Sequence, residues 1–290
     1  MIYRQILASL LLILLPLSAK AFPPASPAGG NYLALDGVDD HAVLDFQTFD
    51  WLLPKGTEEF TVEAWVYLTK PPDKDTAGTI LHQQVRLLIV NDEFQPFLNN
   101  LANALNIEHP KGDPILLMSA YIEGKFGRRL PFPIPLALNQ WHHIAYQSNG
   151  PHTTMIVNDF VAIWPHGDPL GHNASFPLDF VLGGFGKKIR MLVKEEQFYD
   201  SFTGYIDEVR ISTVARYDVE KKDFMPDGKF KNDAKTVALW HFDEPSGTRE
   251  FSDASGNAYH LVGIGGAETG IPLAVEAEGK LTTTWGRLKQ

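Results

Sequence analysis

The sequence predicts an all-β, two-sheet antiparallel sandwich, and three observations carry that prediction. From Tyr32 onward, short apolar segments follow one another between glycine, proline and asparagine punctuation, the rhythm of a sandwich. The clearest of them, Phe60-Thr-Val-Glu-Ala-Trp-Val-Tyr-Leu68, alternates with period two. Phe60, Val62, Ala64, Val66 and Leu68 share one face, and Thr61, Glu63, Trp65 and Tyr67 the other. Helical spacing occurs once, at Phe94, Phe97, Leu98, Leu101 and Leu105, so a short helix is expected inside the long connection from Asp92 to Gln140.

The remaining strands are expected at Tyr32–Leu35, Ala42–Asp45, Thr79–Gln83, Arg86–Val90, Ile115–Ser119, Trp141–Gln147, Thr153–Val157, Phe160–Ile163, Phe180–Leu182 and Tyr205–Ser212. Asn158-Asp159 joins two apolar runs as a tight hairpin turn, because both residues tolerate left-handed backbone angles. Pro131, Pro133 and Pro135 each withhold a backbone donor, which confines the segment Leu130 to Leu136 to a sheet edge.

The chain has 290 residues and no cysteine, so a disulfide framework is excluded and stability must come from a large apolar core. Arg4, the apolar run Ile6 to Leu15 and the small-x-small triplet Ala19-Lys20-Ala21 read as an export signal spanning 1–21. The apolar run is about half the roughly 20 residues that a membrane-spanning helix needs, so no stable span is expected. The product is expected outside the cytoplasm, secreted or periplasmic after cleavage near Ala21. Cleavage there leaves 23 basic against 35 acidic side chains, a net charge of −12, which disfavours nucleic acid as a partner. Residues 22–30, rich in proline and glycine, read as a linker, 31–266 as one sandwich and 267–290 as a C-terminal tail.

Four phrases stand in a distinctive order: Leu35-Asp-Gly-Val-Asp-Asp-His41, Phe60-Thr-Val-Glu-Ala-Trp-Val66, Trp141-His-His-Ile-Ala145 and Phe202-Thr-Gly-Tyr-Ile-Asp-Glu-Val-Arg-Ile211. Together they resemble the laminin-G-like, concanavalin-A-like jelly rolls of exported bacterial proteins, relatives of the pentraxins and lectins. The resemblance covers about Tyr32 to Tyr217 and implies a jelly-roll sandwich. It leaves the ligand open, since that fold hosts binders of sugar, protein and calcium. A fifth phrase, Leu239-Trp-His-Phe-Asp-Glu-Pro-Ser-Gly-Thr248, usually stands ahead of the Asp-Gly-x-x-Asp phrase and here follows the rest. Either it closes the sandwich or it begins a second unit that is not completed; closure is the leading expectation, because the residues after Trp240 are too few to bury a core of their own.

Asp36, Asp39 and Asp40 lie together on a glycine-containing turn, and calcium favours six to eight oxygens from carboxylates and loop carbonyls. The resemblance implies a structural calcium near Asp36, Gly37 and Asp207, with Asp39 a further candidate; the alternative is that these acids cap a turn and that Asp207 pairs with a neighbour such as Arg210. Adjacent strand residues point to opposite faces, so His142 and His143 cannot share one ion. Glycoside hydrolysis needs two carboxylates held about 5 Å or about 6.5–9.5 Å apart. No strand carries the alternating acids that such relatives use, so an atypical hydrolase based on Glu63 or Glu208 is only a residual reading.

The leading expectation is a secreted, non-catalytic module that binds extracellular carbohydrate or a protein partner, with calcium in a structural role. A structural or adhesive surface protein is the alternative. Aromatic platforms for the ligand are expected among Tyr67, Trp164, Phe185 and Tyr199.

Overall fold

The computed structural model describes residues 23–73, 77–90, 115–120, 134–164, 178–184, 201–221 and 226–270. The expected signal, the helix over Phe94 to Ile107, Phe185, Tyr199 and the tail beyond 270 lie outside these residues.

Among the described residues, sixteen strands build two antiparallel sheets. They are β1 Tyr32–Asp36, β2 His41–Leu44, β3 Glu59–Leu68, β4 Ala77–His82, β5 Val85–Val90, β6 Ile115–Ala120, β7 Ile134–Pro135 and β8 Trp141–Asn149. The later ones are β9 Thr153–Val157, β10 Phe160–Trp164, β11 Phe180–Leu182, β12 Thr203–Ser212, β13 Thr236–Trp240, β14 Glu250–Phe251, β15 Leu261–Ile264 and β16 Glu268–Gly270. The first sheet runs β10-β9-β8-β3-β12-β1-β16, with β13 also pairing β12, and the second runs β14-β15-β2-β11-β4-β5-β6-β7. One short helix, α1 Phe46–Phe49, follows β2; the Asp45 side chain accepts the Thr48 backbone N–H at its start.

The core lies between the sheets. Leu33, Leu35, Val62, Ala64, Val66, Ile144, Tyr146 and Ile206 of the first sheet meet Ala42, Leu44, Ile80, Leu87, Phe180 and Leu182 of the second. The period-two pattern of β3 appears as expected, but its other face is buried as well. Trp65 packs with Phe230 and Leu239 against the half-buried Trp141, so the segment that reaches β13 covers the sheet from outside. The lead-in also packs rather than hanging free: Ser26 is buried, and the Trp141 indole N–H donates to the Pro24 carbonyl at 2.9 Å.

The C-terminal phrase closes the sandwich. β13 extends the first sheet, β14 and β15 extend the second beside β2, and β16 pairs with β1. Trp240, fully buried, stacks on Phe180 of the opposite sheet at 5.2 Å between centroids and 19° between planes. The described sandwich therefore includes β16, past the boundary at 266 expected from sequence. β7, the proline-bearing segment, is an edge strand. The β9–β10 hairpin turns at Asn158, which has the left-handed φ of 52° that the turn requires.

Candidate functional site

On the outer face of the first sheet, register brings four residues into one row: Ala34 opposite Tyr205, Tyr205 opposite Tyr67, and Tyr67 opposite Trp141. The Tyr67 ring meets Trp141 at 5.4 Å and Tyr205 at 5.8 Å, and Tyr32 packs behind at 4.7 Å from Tyr205. Tyr67 is only 7% exposed, whereas Trp141 and Tyr205 are half-buried, each keeping part of its ring at the surface. Tyr67, expected as a ligand platform, is thus the wedge that fixes the angle of two outer rings. Burial raises the pKa of Tyr32, Tyr67 and Tyr205, so all three phenols are neutral at physiological pH.

Asp36 ends β1 on this same face, opposite Thr203 and diagonal to Tyr205. One carboxylate oxygen from each of Asp36, Asp39 and Asp40 lies within 4.8 Å of the others, with Asp36 and Asp39 exposed and Asp40 buried. The three converge because the turn is tightly specified. Gly37 has φ +80°, and a Cβ there would sit 1.8 Å from Thr203 Oγ1. Asp40 accepts the Asp36 backbone N–H at 2.9 Å and also that of Gly266, while Asp36 Oδ1 accepts from the Val38 N–H at 2.7 Å. Burial raises the Asp40 pKa against the pull of those two N–H groups. In oxygen type and convergence this donor set fits a hard cation such as calcium, and the turn-capping expected as the alternative is present in the same residues.

Asp207 does not join this group. The β1–β12 ladder is antiparallel, so Asp36, at the end of β1, meets the beginning of β12 at Thr203. Asp207 lies beyond the other end of that ladder, four residues and roughly 13 Å along the strand. There it is buried beneath the lead-in, accepting the Glu208 backbone N–H at 2.9 Å and a bond from the Ser26 hydroxyl. Nor does Asp207 pair with Arg210, whose guanidinium binds Glu63.

The buried acids are committed elsewhere. Glu63, with no exposed surface, accepts Arg210 Nε at 2.8 Å, His143 Nε2 at 3.1 Å and the Tyr217 hydroxyl. Burial alone would raise its pKa, but the His143 hydrogen bond and the Arg210 charge hold it below the ordinary carboxylate range. Glu208 sits at φ 51°, where the β12–β3 register shifts; it accepts the Phe230 backbone N–H at 2.7 Å and His241 Nδ1 at 2.7 Å. His142 faces the other way from His143, toward the Ala137 carbonyl and the Asn158 amide.

Among the other expected platform residues, Trp164 ends β10 opposite Thr153. Trp141 and Tyr205 were not foreseen as a pair. Each lies on a predicted strand with outward parity, but only the cross-strand register shows that they flank one tyrosine.

No protein-family model matches the chain, and no curated protein matches it. Among solved structures, a protein from Bacteroides ovatus ATCC 8483, described as a candidate carbohydrate binding protein, aligns over 84% of this chain and 61% of its own, at 19% identity and a TM-score of 0.53. The fold is a concanavalin-A-like jelly roll. A heptameric SAP-like pentraxin from Limulus polyphemus aligns over 66% of this chain and 79% of its own, at 12% identity and a TM-score of 0.38. Domains LG4-5 of the mouse laminin α1 chain align over 69% of this chain and 45% of theirs, at 12% identity and a TM-score of 0.39. At these identities the likeness concerns the jelly roll alone, and this chain spans about three-fifths of the Bacteroides protein.

Proposed function

We propose that this jelly roll is a non-catalytic carbohydrate-binding module, exported from the cytoplasm, that holds glycan against the outer face of its first sheet with calcium at the Asp36–Asp40 turn. The observation that carries the reading is the row Tyr205–Tyr67–Trp141, two half-buried rings that reach the surface braced by a buried one, ending beside the converging carboxylates of Asp36 and Asp39. Aromatic faces match the apolar faces of sugar rings, and a bound cation supplies the polar anchor for hydroxyls. The ligand class given for the Bacteroides ovatus protein supports the same reading.

Absence of catalysis is supported by the state of Glu63 and Glu208, both buried and saturated by protein partners. A hydrolytic pair needs acids that reach a glycosidic oxygen and a water. Export rests on the N-terminal sequence pattern. Among the described residues no helix is long and apolar enough to cross a membrane.

The deciding experiment is a glycan array probed with Phe22 to Gln290 and with Tyr205→Ala, each with calcium and with a chelator. Selective binding that the chelator weakens, and that Tyr205→Ala weakens by about tenfold or more, about 1.4 kcal/mol, is the expected result. Binding indifferent to the chelator removes calcium from the reading. A blank array in both buffers transfers the face to a protein partner or an adhesive role.

A further inference from the structure

Trp141 is the end ring of the aromatic row and the one least supported by its own sheet. It opens β8, and β9 pairs with β8 only from Ile144 to Ser148, so among the described residues Tyr67 is its one cross-strand neighbour. Its indole N–H is nevertheless committed, donating to the Pro24 carbonyl at 2.9 Å. The chain around Pro24 is shaped to make that bond. Ser26-Pro27-Ala28-Gly29 closes a tight turn, with the Gly29 N–H donating to the Ser26 carbonyl at 2.8 Å and the Ala28 N–H to Ser26 Oγ at 3.1 Å. Serine first, proline second and glycine last is the sequence such a turn favours. The turn rests on Gly228, where a Cβ would meet the Pro27 carbonyl, and beyond it the Asn31 side chain donates to the Glu244 carbonyl at 2.6 Å.

We propose that residues 23–31 form a strap that positions Trp141 for its ligand, with Pro27 and Gly228 as positioning residues, so that the stretch ahead of β1 belongs to the binding site. The inference rests on the carbohydrate reading of the aromatic row. Pro24 holds the indole by its N–H, while Tyr67 at 5.4 Å and Tyr32 at 5.9 Å pack against its ring, so the ring angle is set before a ligand arrives. A platform ordered in advance spares binding the loss of side-chain freedom. The indole has one hydrogen-bond donor, and the strap occupies it, so Trp141 offers a sugar its apolar face alone. Recognition at this end of the row is therefore by stacking.

The test follows the indole N–H of Trp141 by NMR in the isotope-labelled full chain, its signal assigned by its loss in Trp141→Phe. Pro27→Gly loosens the turn while keeping its carbonyl, and Gly228→Val puts a side chain where the strap lies. Both variants are expected to speed solvent exchange of the Trp141 indole, Gly228→Val by about tenfold or more, and to leave that of the buried Trp240 unchanged. Both are also expected to bind the glycan that wild type selects more weakly, in the same order. Unchanged Trp141 exchange in both variants overturns the proposal, and so does faster exchange with undiminished glycan affinity. If Gly228→Val does not fold, Pro27→Gly decides alone. A wild-type chain that binds no glycan strikes the carbohydrate reading instead, and the exchange comparison still shows whether the strap holds the ring.

Discussion

Tyr32 and Asp207 flank the same ladder pair, Leu33 opposite Ile206, on the outer face of the first sheet, and each keeps a buried oxygen without a hydrogen-bond partner among the described residues. Burial raises the Asp207 carboxyl to about 8, with the neighbouring Glu208 charge adding to the effect and the Ser26 bond opposing it. The folded state therefore holds a proton that the unfolded chain releases near pH 4. Stability falls as pH rises from about 4 to about 8 and is flat beyond, by an amount on the order of a few kcal/mol. Asp207→Asn removes the ionisation and is expected to be more stable than wild type at pH 8 and close to it at pH 4. Urea unfolding at the two pH values checks this; equal stability of variant and wild type at pH 8 rules it out.

The Glu63–Arg210 pair predicts an asymmetry. Arg210 is bound by Glu63, donates to the Lys231 carbonyl at 3.1 Å and lies 4.6 Å over the Phe230 ring. Glu63→Gln leaves that cation buried without its counter-charge, at a cost of about 3–5 kcal/mol. Replacing both residues with apolar side chains of similar volume should cost clearly less. A double-mutant cycle by chemical denaturation reads both values. Because the Glu63 pKa is lowered, its contribution is present above the unfolded carboxylate pKa and is lost as pH falls through the folded one.

Trp240→Ala tests the closure of the sandwich. The indole is fully buried, stacks on Phe180 and donates its N–H to the Tyr259 carbonyl at 2.7 Å. Truncation is expected to cost about 3–5 kcal/mol. Truncating Val262, exposed on the outer face of β15, is expected to change stability by less than about 0.5 kcal/mol. Thermal melts distinguish the two.

For the proposed calcium site, Asp39→Asn is the informative change, since Asp36 and Asp40 also cap backbone N–H groups. Calcium should raise the melting temperature of the wild type in a concentration-dependent way and leave Asp39→Asn almost unmoved. An unmoved wild type would reduce the turn to a hydrogen-bonding role.

Where alternation and turn chemistry act locally, the sequence was legible. β3, the β9–β10 hairpin and the proline-bearing edge strand could all be placed from neighbouring residues. What depends on register or on distant chain was not. Asp207 reads as a partner of Asp36 until the antiparallel direction of β12 carries it to the far end of the ladder. Trp65 and Tyr67 read as a half-open face because Phe230 and the lead-in, which cover it, lie far away in sequence. The site residues follow the same division: the Asp36–Asp40 turn announces itself within five residues, whereas the flanking of Tyr67 by Trp141 and Tyr205 exists only once three strands are side by side.

The pairing of β1 with β16 sets the order in which this molecule can be finished. The first strand emerges from the ribosome with its inner neighbours unmade, and its outer neighbour is among the last described residues to be synthesised. Contacts so distant in sequence form late and slowly, because loop closure precedes their reward. A chain built this way keeps β1 without its outer neighbour until residues 268–270 have been made. Shortening it by only β15 and β16 would strip β1 of its outer neighbour and part β14 from β2, leaving the core open along one side of both sheets.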